Sequence, residues 1–190
     1  PQGTLFGRNT TGGAVNFITR RPDLSGSEGY VQLGYGNFNA ITAQAAFETT
    51  LSPDVIGLRL AVNYADGDGQ IQNVFAGGRD GNSTDTLQGR ASLRISPGDA
   101  LDITLRGYAG RDRGTQAGVH GLTAFRTGLD FWQTNENRMG QNNTDAWGVS
   151  ANIGYDVSDS LRVTSITSYG GGKQQLQRAA DGSPADVREI

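Results

Sequence analysis

Strict alternation of apolar and polar residues, repeated in seven separate runs, is the feature of this chain that most restricts its fold. Val31, Leu33 and Tyr35 alternate with Tyr30, Gln32 and Gly34, and Ile41, Ala43, Ala45 and Phe47 alternate with Thr42, Gln44, Ala46 and Glu48. The third run places Ile56, Leu58, Leu60, Val62 and Tyr64 against Gly57, Arg59, Ala61 and Asn63. Later runs are built on Leu87 to Ile95, Leu101 to Leu105 and Trp147 to Val157, and a seventh from Leu161 to Tyr169 is broken by Ile166 on its polar side. Successive side chains of a strand point to opposite faces, so each run predicts a strand with one apolar and one polar face. Most are near the 9–11 residues that a tilted strand needs to cross a bilayer.

The connections between runs alternate in length. Leu51-Ser52-Pro53-Asp54, Ser96-Pro97-Gly98-Asp99 and Ser158-Asp159-Ser160 read as tight turns, because their residues preset or tolerate turn dihedrals. Between them stand long polar segments, from about Asp66 to Thr86 and from about Arg111 to Asp145; Gly36-Asn37-Phe38-Asn39 belongs to the long set by phase but is short. Short turns at one end and long loops at the other is the pattern of bacterial outer-membrane barrels. A soluble β-sandwich has the period without a reason to sort its loops. Tyr35, Tyr64, Trp147 and Tyr169 fall at the long-loop ends of the apolar faces, with Phe47 and Tyr155 toward the other end, as interfacial aromatics do.

Composition agrees with this reading and excludes others. Hydrophobic residues make up 35% of the chain and mean hydropathy is -0.45, too low for a large dry core. A barrel strand needs only one apolar residue in two, so such a value is compatible with a membrane protein. No stretch approaches the 18 apolar residues of a transmembrane helix; the best, Val55 to Val62, contains Arg59. Cysteine is absent, which removes disulfides, thiol nucleophiles and thiolate metal sites. The net charge of -3, with no basic run interleaved with aromatics, gives no reason to expect nucleic acid. No cofactor motif is present: the phosphate-loop and dinucleotide patterns are missing, and Asp66-Gly67-Asp68 and Asp80-Gly81-Asn82 do not complete a calcium loop. His120 is the only histidine, and one His makes no metal site unaided. No serine lies in its loop to form a catalytic dyad, so no enzyme activity is expected.

Before the first run stands Pro1-Gln2-Gly3-Thr4-Leu5-Phe6-Gly7-Arg8-Asn9-Thr10-Thr11-Gly12-Gly13-Ala14-Val15-Asn16-Phe17-Ile18-Thr19-Arg20-Arg21-Pro22. Physically this reads as a Gly-punctuated turn region and then a short strand from Ala14 to Thr19, stopped by Pro22. As a string, with Gly7, Arg8, Asn9, Thr10, Gly12, Gly13 and Asn16 as its marked positions, it resembles the C-terminal part of the plug of TonB-dependent outer-membrane receptors. That resemblance implies an all-β fold: a partial transmembrane antiparallel β-barrel, about seven strands of a 22-stranded barrel, preceded by the last strand of a plug domain. Residues 1–22 are then the end of the plug and 29–190 the N-terminal portion of the barrel. An odd count of strands leaves two open edges, which lipid does not tolerate, so the chain is expected to be part of a larger barrel and, in isolation, to aggregate or need detergent.

The resemblance further implies location in the bacterial outer membrane, contact with outer-membrane lipid, a TonB complex as partner, and energised uptake of a small ligand such as a ferric siderophore, otherwise a carbohydrate or other nutrient. A passive porin or adhesin-type barrel is the alternative, and it leaves the plug-like opening unexplained. A soluble polysaccharide-binding or hydrolytic β-protein requires the apolar faces to pack together. The short turns are then periplasmic and the long segments external. Of these, the segment with His120, Arg126, Trp132 and Arg138, along with Phe125 and Phe131, is the richest source of ligand contacts, since aromatic and cationic groups suit carboxylate-rich or sugar ligands. Arg8 and Arg20 are expected to pair with wall carboxylates such as Glu48 or Asp102.

Overall fold

The computed structural model describes residues 18–117, 128–177 and 183–185. Within them the fold is all-β, and no helix occurs. Nine strands are formed: β1 (Ser27–Tyr35), β2 (Ile41–Ser52), β3 (Ile56–Gly67), β4 (Gln72–Asn73), β5 (Thr84–Ile95), β6 (Leu101–Asp112), β7 (Gln133–Thr134), β8 (Gln141–Ser158) and β9 (Leu161–Gln177). Seven make one antiparallel sheet in the order β1-β2-β3-β5-β6-β8-β9, each long strand beside its sequence neighbour, and the sheet is not closed. This meander is consistent with part of a barrel wall.

All seven expected strands are present, and the tight turns lie where turn chemistry put them. Asp54 takes the left-handed conformation (φ 60°) between β2 and β3, and the amide of Val55 donates to Ser52 O at 3.0 Å. The β1–β2 hairpin turns through Phe38 and Asn39, both left-handed. Asn tolerates that region; for Phe it costs about 1–2 kcal/mol. The turn is held by its surroundings: Phe38 O accepts from the amide of Asp68 at 2.8 Å, and Asn39 Nδ2 donates to Asp68 Oδ2 at 2.6 Å.

Two boundaries differ from expectation. The strands run past the apolar alternation, so the long connections shrink to 68–83 and 113–140, and β9 continues to Gln177. Gln141 to Asp145 pair in register with Gln177 to Lys173 although all but Leu176 are polar; ladder hydrogen bonds need backbone, not apolar side chains. The connections also hold their own ladder, β4 parallel to β7. Of the expected short strand from Ala14 to Thr19, all but Ile18 and Thr19 lies outside the described residues, and these two are not in a strand.

Burial is inverted relative to a water-soluble sheet. On one face Val31, Leu33, Tyr35, Val149 and Tyr169 are each more than half exposed. On the other, Glu48, Ser92 and Thr104 are buried, and the buried apolar core of the described residues amounts to Ala46 and Met139. No second described sheet covers the apolar face, as a sandwich requires; among the strands, the long ones make their main contacts with their sheet neighbours. From Ile56 to Tyr64 the apolar face of β3 extends about 26 Å along the strand, at about 3.3 Å per residue, comparable with the apolar band of about 25 Å on membrane barrels. The band ends in aromatics. Trp147 and Tyr169 meet edge to face with centroids 5.6 Å apart. One register step above, on the same face, come Arg111, Asp145 and Lys173. Charge thus resumes where the rings stop.

Candidate functional site

The polar face carries the charged groups, and the ladder aligns them. Cross-strand register places Glu28, Glu48, Arg59, Ser92 and Arg106 in one row over β1, β2, β3, β5 and β6. Glu48 is fully buried, and isolated burial of a carboxylate is costly. Two arginines offset that cost: Arg20 Nη2 lies 2.8 Å from Oε1 and Arg59 Nη1 3.2 Å from Oε2. Arg20 also reaches Glu28 at 2.5 Å. These are charge contacts without hydrogen-bond alignment at Glu48.

Arg20 belongs to the segment 18–26, which lies across this face before entering β1. The next residue, Arg21, approaches Asp102 at 3.5 Å, while Arg94 donates to Asp102 Oδ2 through Nε at 3.0 Å and Nη2 at 2.7 Å. The segment is seated closely. Pro22 is fully buried, and a Cβ on Gly57 of β3 would collide with the backbone carbonyl of Asp23. Leu24 O and Gly26 O accept from the amides of Asp54 and Thr50, both at 3.0 Å. Asp23 accepts from Ser25 Oγ at 2.9 Å and Ser25 N at 3.0 Å, and these bonds hold its carboxyl below the usual carboxylate range. The Arg20–Glu48 pairing is thus formed as expected. Asp102 is taken by Arg21 and Arg94 instead, and Arg8 lies outside the described residues, as do Gly7, Asn9, Thr10, Gly12, Gly13 and Asn16. The sequence placed Asp102 opposite the segment but not the arginine that meets it: Arg20 is drawn to Glu28 and Glu48, and its neighbour Arg21 reaches Asp102.

Toward the long-loop end the polar face opens into a concavity lined by Tyr30, Gln44, Asn63, Gln88, Arg90 and Tyr108. Tyr108 leans over Gly148, where a Cβ would strike its ring. Above it the two long connections are bound together. Asn73, buried, uses its side chain as a piece of ladder: Nδ2 donates to Glu136 O at 2.9 Å, and Oδ1 accepts from the amides of Glu136 (3.1 Å) and Phe75 (3.2 Å). Thr134 donates to Glu136 Oε1 at 2.9 Å. Thr115 Oγ1 donates to Asp80 O at 2.6 Å and accepts from Ser83 N at 2.8 Å. None of these residues announces itself in sequence; each is an ordinary polar loop residue until its partner is known.

Of the four loop residues proposed from sequence, His120 and Arg126 lie outside the described residues, as does Phe125. Trp132 is exposed and meets Phe131 edge to face at 5.0 Å and 89°. Arg138 is exposed farther along the same connection. Beside the rings, Gln133 Nε2 donates to Gln72 Oε1 at 3.1 Å.

The chain is similar to receptors. The pesticin receptors of Yersinia enterocolitica and Yersinia pestis are each 27% identical to it over 99 residues, covering 52% of this chain and 15% of the relative. The aligned part of the chain thus spans a small fraction of these relatives. No protein-family model matches the chain.

Proposed function

We propose that this chain is part of a TonB-dependent outer-membrane receptor, with residues 1–22 closing the plug and 29–190 forming the first stretch of the barrel wall. The observation that carries the reading is the inverted sheet, whose apolar face is uncovered and whose polar face holds the buried groups. Leaving such side chains in water forgoes about 1.5–3 kcal/mol each, so lipid is the environment in which this sheet is stable. The sorted connections, the aromatic rows and the likeness to pesticin receptors support the same reading. The polar face then lines the lumen, with segment 18–26 as the link that leads from plug to wall. The cargo is a small scarce ligand, most suitably an iron-loaded siderophore, which the exposed Phe131–Trp132 pair and the concavity below it are suited to meet.

Cells carrying the intact gene test this. The protein is expected in the outer-membrane fraction, and deletion is expected to remove growth on one or more iron-loaded siderophores, with uptake abolished by a protonophore. Recovery of the protein from the soluble periplasm would overturn the receptor reading. Uptake that survives the protonophore would favour a passive barrel.

A further inference from the structure

We propose that Arg90 and Arg106, diagonal neighbours on the polar face of β5 and β6, form a binding site for the anionic group of a small carboxylate- or phosphate-bearing solute. The proposal rests on the reading of that face as a lumen wall and goes further, to the charge class of what passes there.

Charge is unevenly distributed over this face. Between the Asp156–Arg162 pair at the short-turn end and Asp112 at the other, the face and the segment on it carry six arginines (Arg20, Arg21, Arg59, Arg90, Arg94, Arg106) and four carboxylates (Asp23, Glu28, Glu48, Asp102). Arg20 and Arg59 share Glu48, Arg20 also holds Glu28, and Arg21 and Arg94 share Asp102. Asp23 accepts from Ser25, so all four carboxylates have partners. Arg90 and Arg106 have no ion-pair partner among the described residues, in a protein whose net charge is -3. Arg21 and Arg90, both of its own sign, act on Arg106, and its Nε is buried without a hydrogen-bond partner among the described residues.

Two like charges held together with an unused donor favour an anion. The planar guanidinium fork matches carboxylate and phosphate oxygens in pairs. Register sets Arg90 opposite Tyr108 and Arg106 opposite Ser92, so phenol and hydroxyl groups flank the cations. Arg90 also lines two concavities, one with Tyr30, Gln44 and Gln88, the other with Arg20, Arg59 and Ser92. It therefore stands where a solute moving along the face passes from a neutral polar region into a cationic one. Neutral sugars gain little there; multiply charged anions gain most.

Calorimetry on the intact protein in lipid nanodiscs, with citrate and inorganic phosphate as probes and glucose as the neutral comparison, tests the site. Citrate is expected to bind in low salt and to weaken as salt rises, while glucose gives no heat. Arg90→Gln and Arg106→Gln are each expected to weaken citrate by about tenfold or more, as loss of a hydrogen bond to a charged group does, and the double variant is expected to lose binding. Arg162→Gln, whose partner is Asp156, should bind as the parent does. If the double Gln variant does not fold, the double Lys variant keeps the charge, loses the fork, and is expected to show intermediate affinity. Equal citrate affinity in parent and double variant, or no binding of either anion, would overturn the proposal. So would a double variant that melts lower while the parent binds no anion, since an acidic side chain of the protein then occupies the pair. Because these affinities are read on purified protein, they fail independently of membrane fractionation and uptake.

Discussion

Replacing Asn73 by Ala removes the side chain that joins the two long connections. Its amide makes three hydrogen bonds, two of them to the backbone N–H and C=O of Glu136, a residue almost wholly buried. Truncation leaves that donor and that acceptor unpaired, at about 1–3 kcal/mol each. The third bond, to the amide of Phe75, lies where water can replace it. A net cost of about 3 kcal/mol to the docked state follows, and at 1.4 kcal/mol per factor of ten the opening equilibrium rises about 100-fold. The loss is local, because Asn73 touches none of the seven long strands through these bonds. Hydrogen exchange by mass spectrometry in nanodiscs reads this directly. A peptide covering 70–76, which contains the ladder amides of Gln72 and Val74 bonded to Trp132 O and Thr134 O at 2.8 Å, is expected to exchange about 100-fold faster, and one covering 56–64 in β3 to be unchanged. Gln72→Ala, which removes only an exposed side-chain bond, is expected to cost under about 1 kcal/mol. Unchanged exchange over 70–76 in the Asn73 variant, or equal acceleration in β3, would refute the assignment of Asn73 as the joint.

The ion pairs on the polar face should respond asymmetrically. Glu48→Gln leaves Arg59 without a countercharge in a mostly buried site and is expected to lower stability by about 3 kcal/mol, the lower end for a broken buried pair; Arg20→Gln, at a side chain 56% exposed, is expected to cost about 1 kcal/mol or less, both measured by guanidinium unfolding in detergent. Gly57→Ala drives a Cβ into Asp23 O and is expected to lift the segment from β3, seen as faster tryptic cleavage after Arg20 (the bond after Arg21 being blocked by Pro22) with the ladder amides still protected. Asp23 titrates below the usual range because Ser25 donates to it. A carboxyl whose folded pKa is depressed stabilises the fold above its unfolded value, near 3.8, and that contribution disappears as pH falls through the lower folded value. Ser25→Ala is expected to move the Asp23 titration, followed by NMR, upward toward the ordinary value; no movement would remove the hydrogen-bond explanation.

The strands were legible because their signal is local and repeated. Leu58, Leu60 and Val62 alternate with Arg59 and Ala61 whatever lies beside them, and register then follows from keeping each apolar set on one face. Strand ends were less legible, since Gln141 to Thr144 extend β8 through pairing with β9 and not through any property of their own. The Arg20–Glu48 contact could be anticipated from charge on a polar face. The roles of Asn73, Thr115 and Glu136 could not: a buried polar loop residue is defined by partners as far as 63 positions away, and no periodicity reports them.

The two outer edges of the sheet and its two faces constrain the molecule together. β1 and β9 are exposed along their whole length and pair on one side only. In the hydrocarbon that the apolar face calls for, each unpaired backbone group of those edges costs several kcal/mol, so both strands need neighbours in the membrane. In the barrel proposed above the sheet is continued from both edges and closes, and closure turns the polar face from a surface into an enclosure with low-dielectric walls. Fields are focused in such a space. Four carboxylates against six arginines would be a minor imbalance in open water. On the inside of a barrel wall the same imbalance becomes a standing attraction for anions, and Arg90 and Arg106, the pair that no described carboxylate neutralises, mark where it acts.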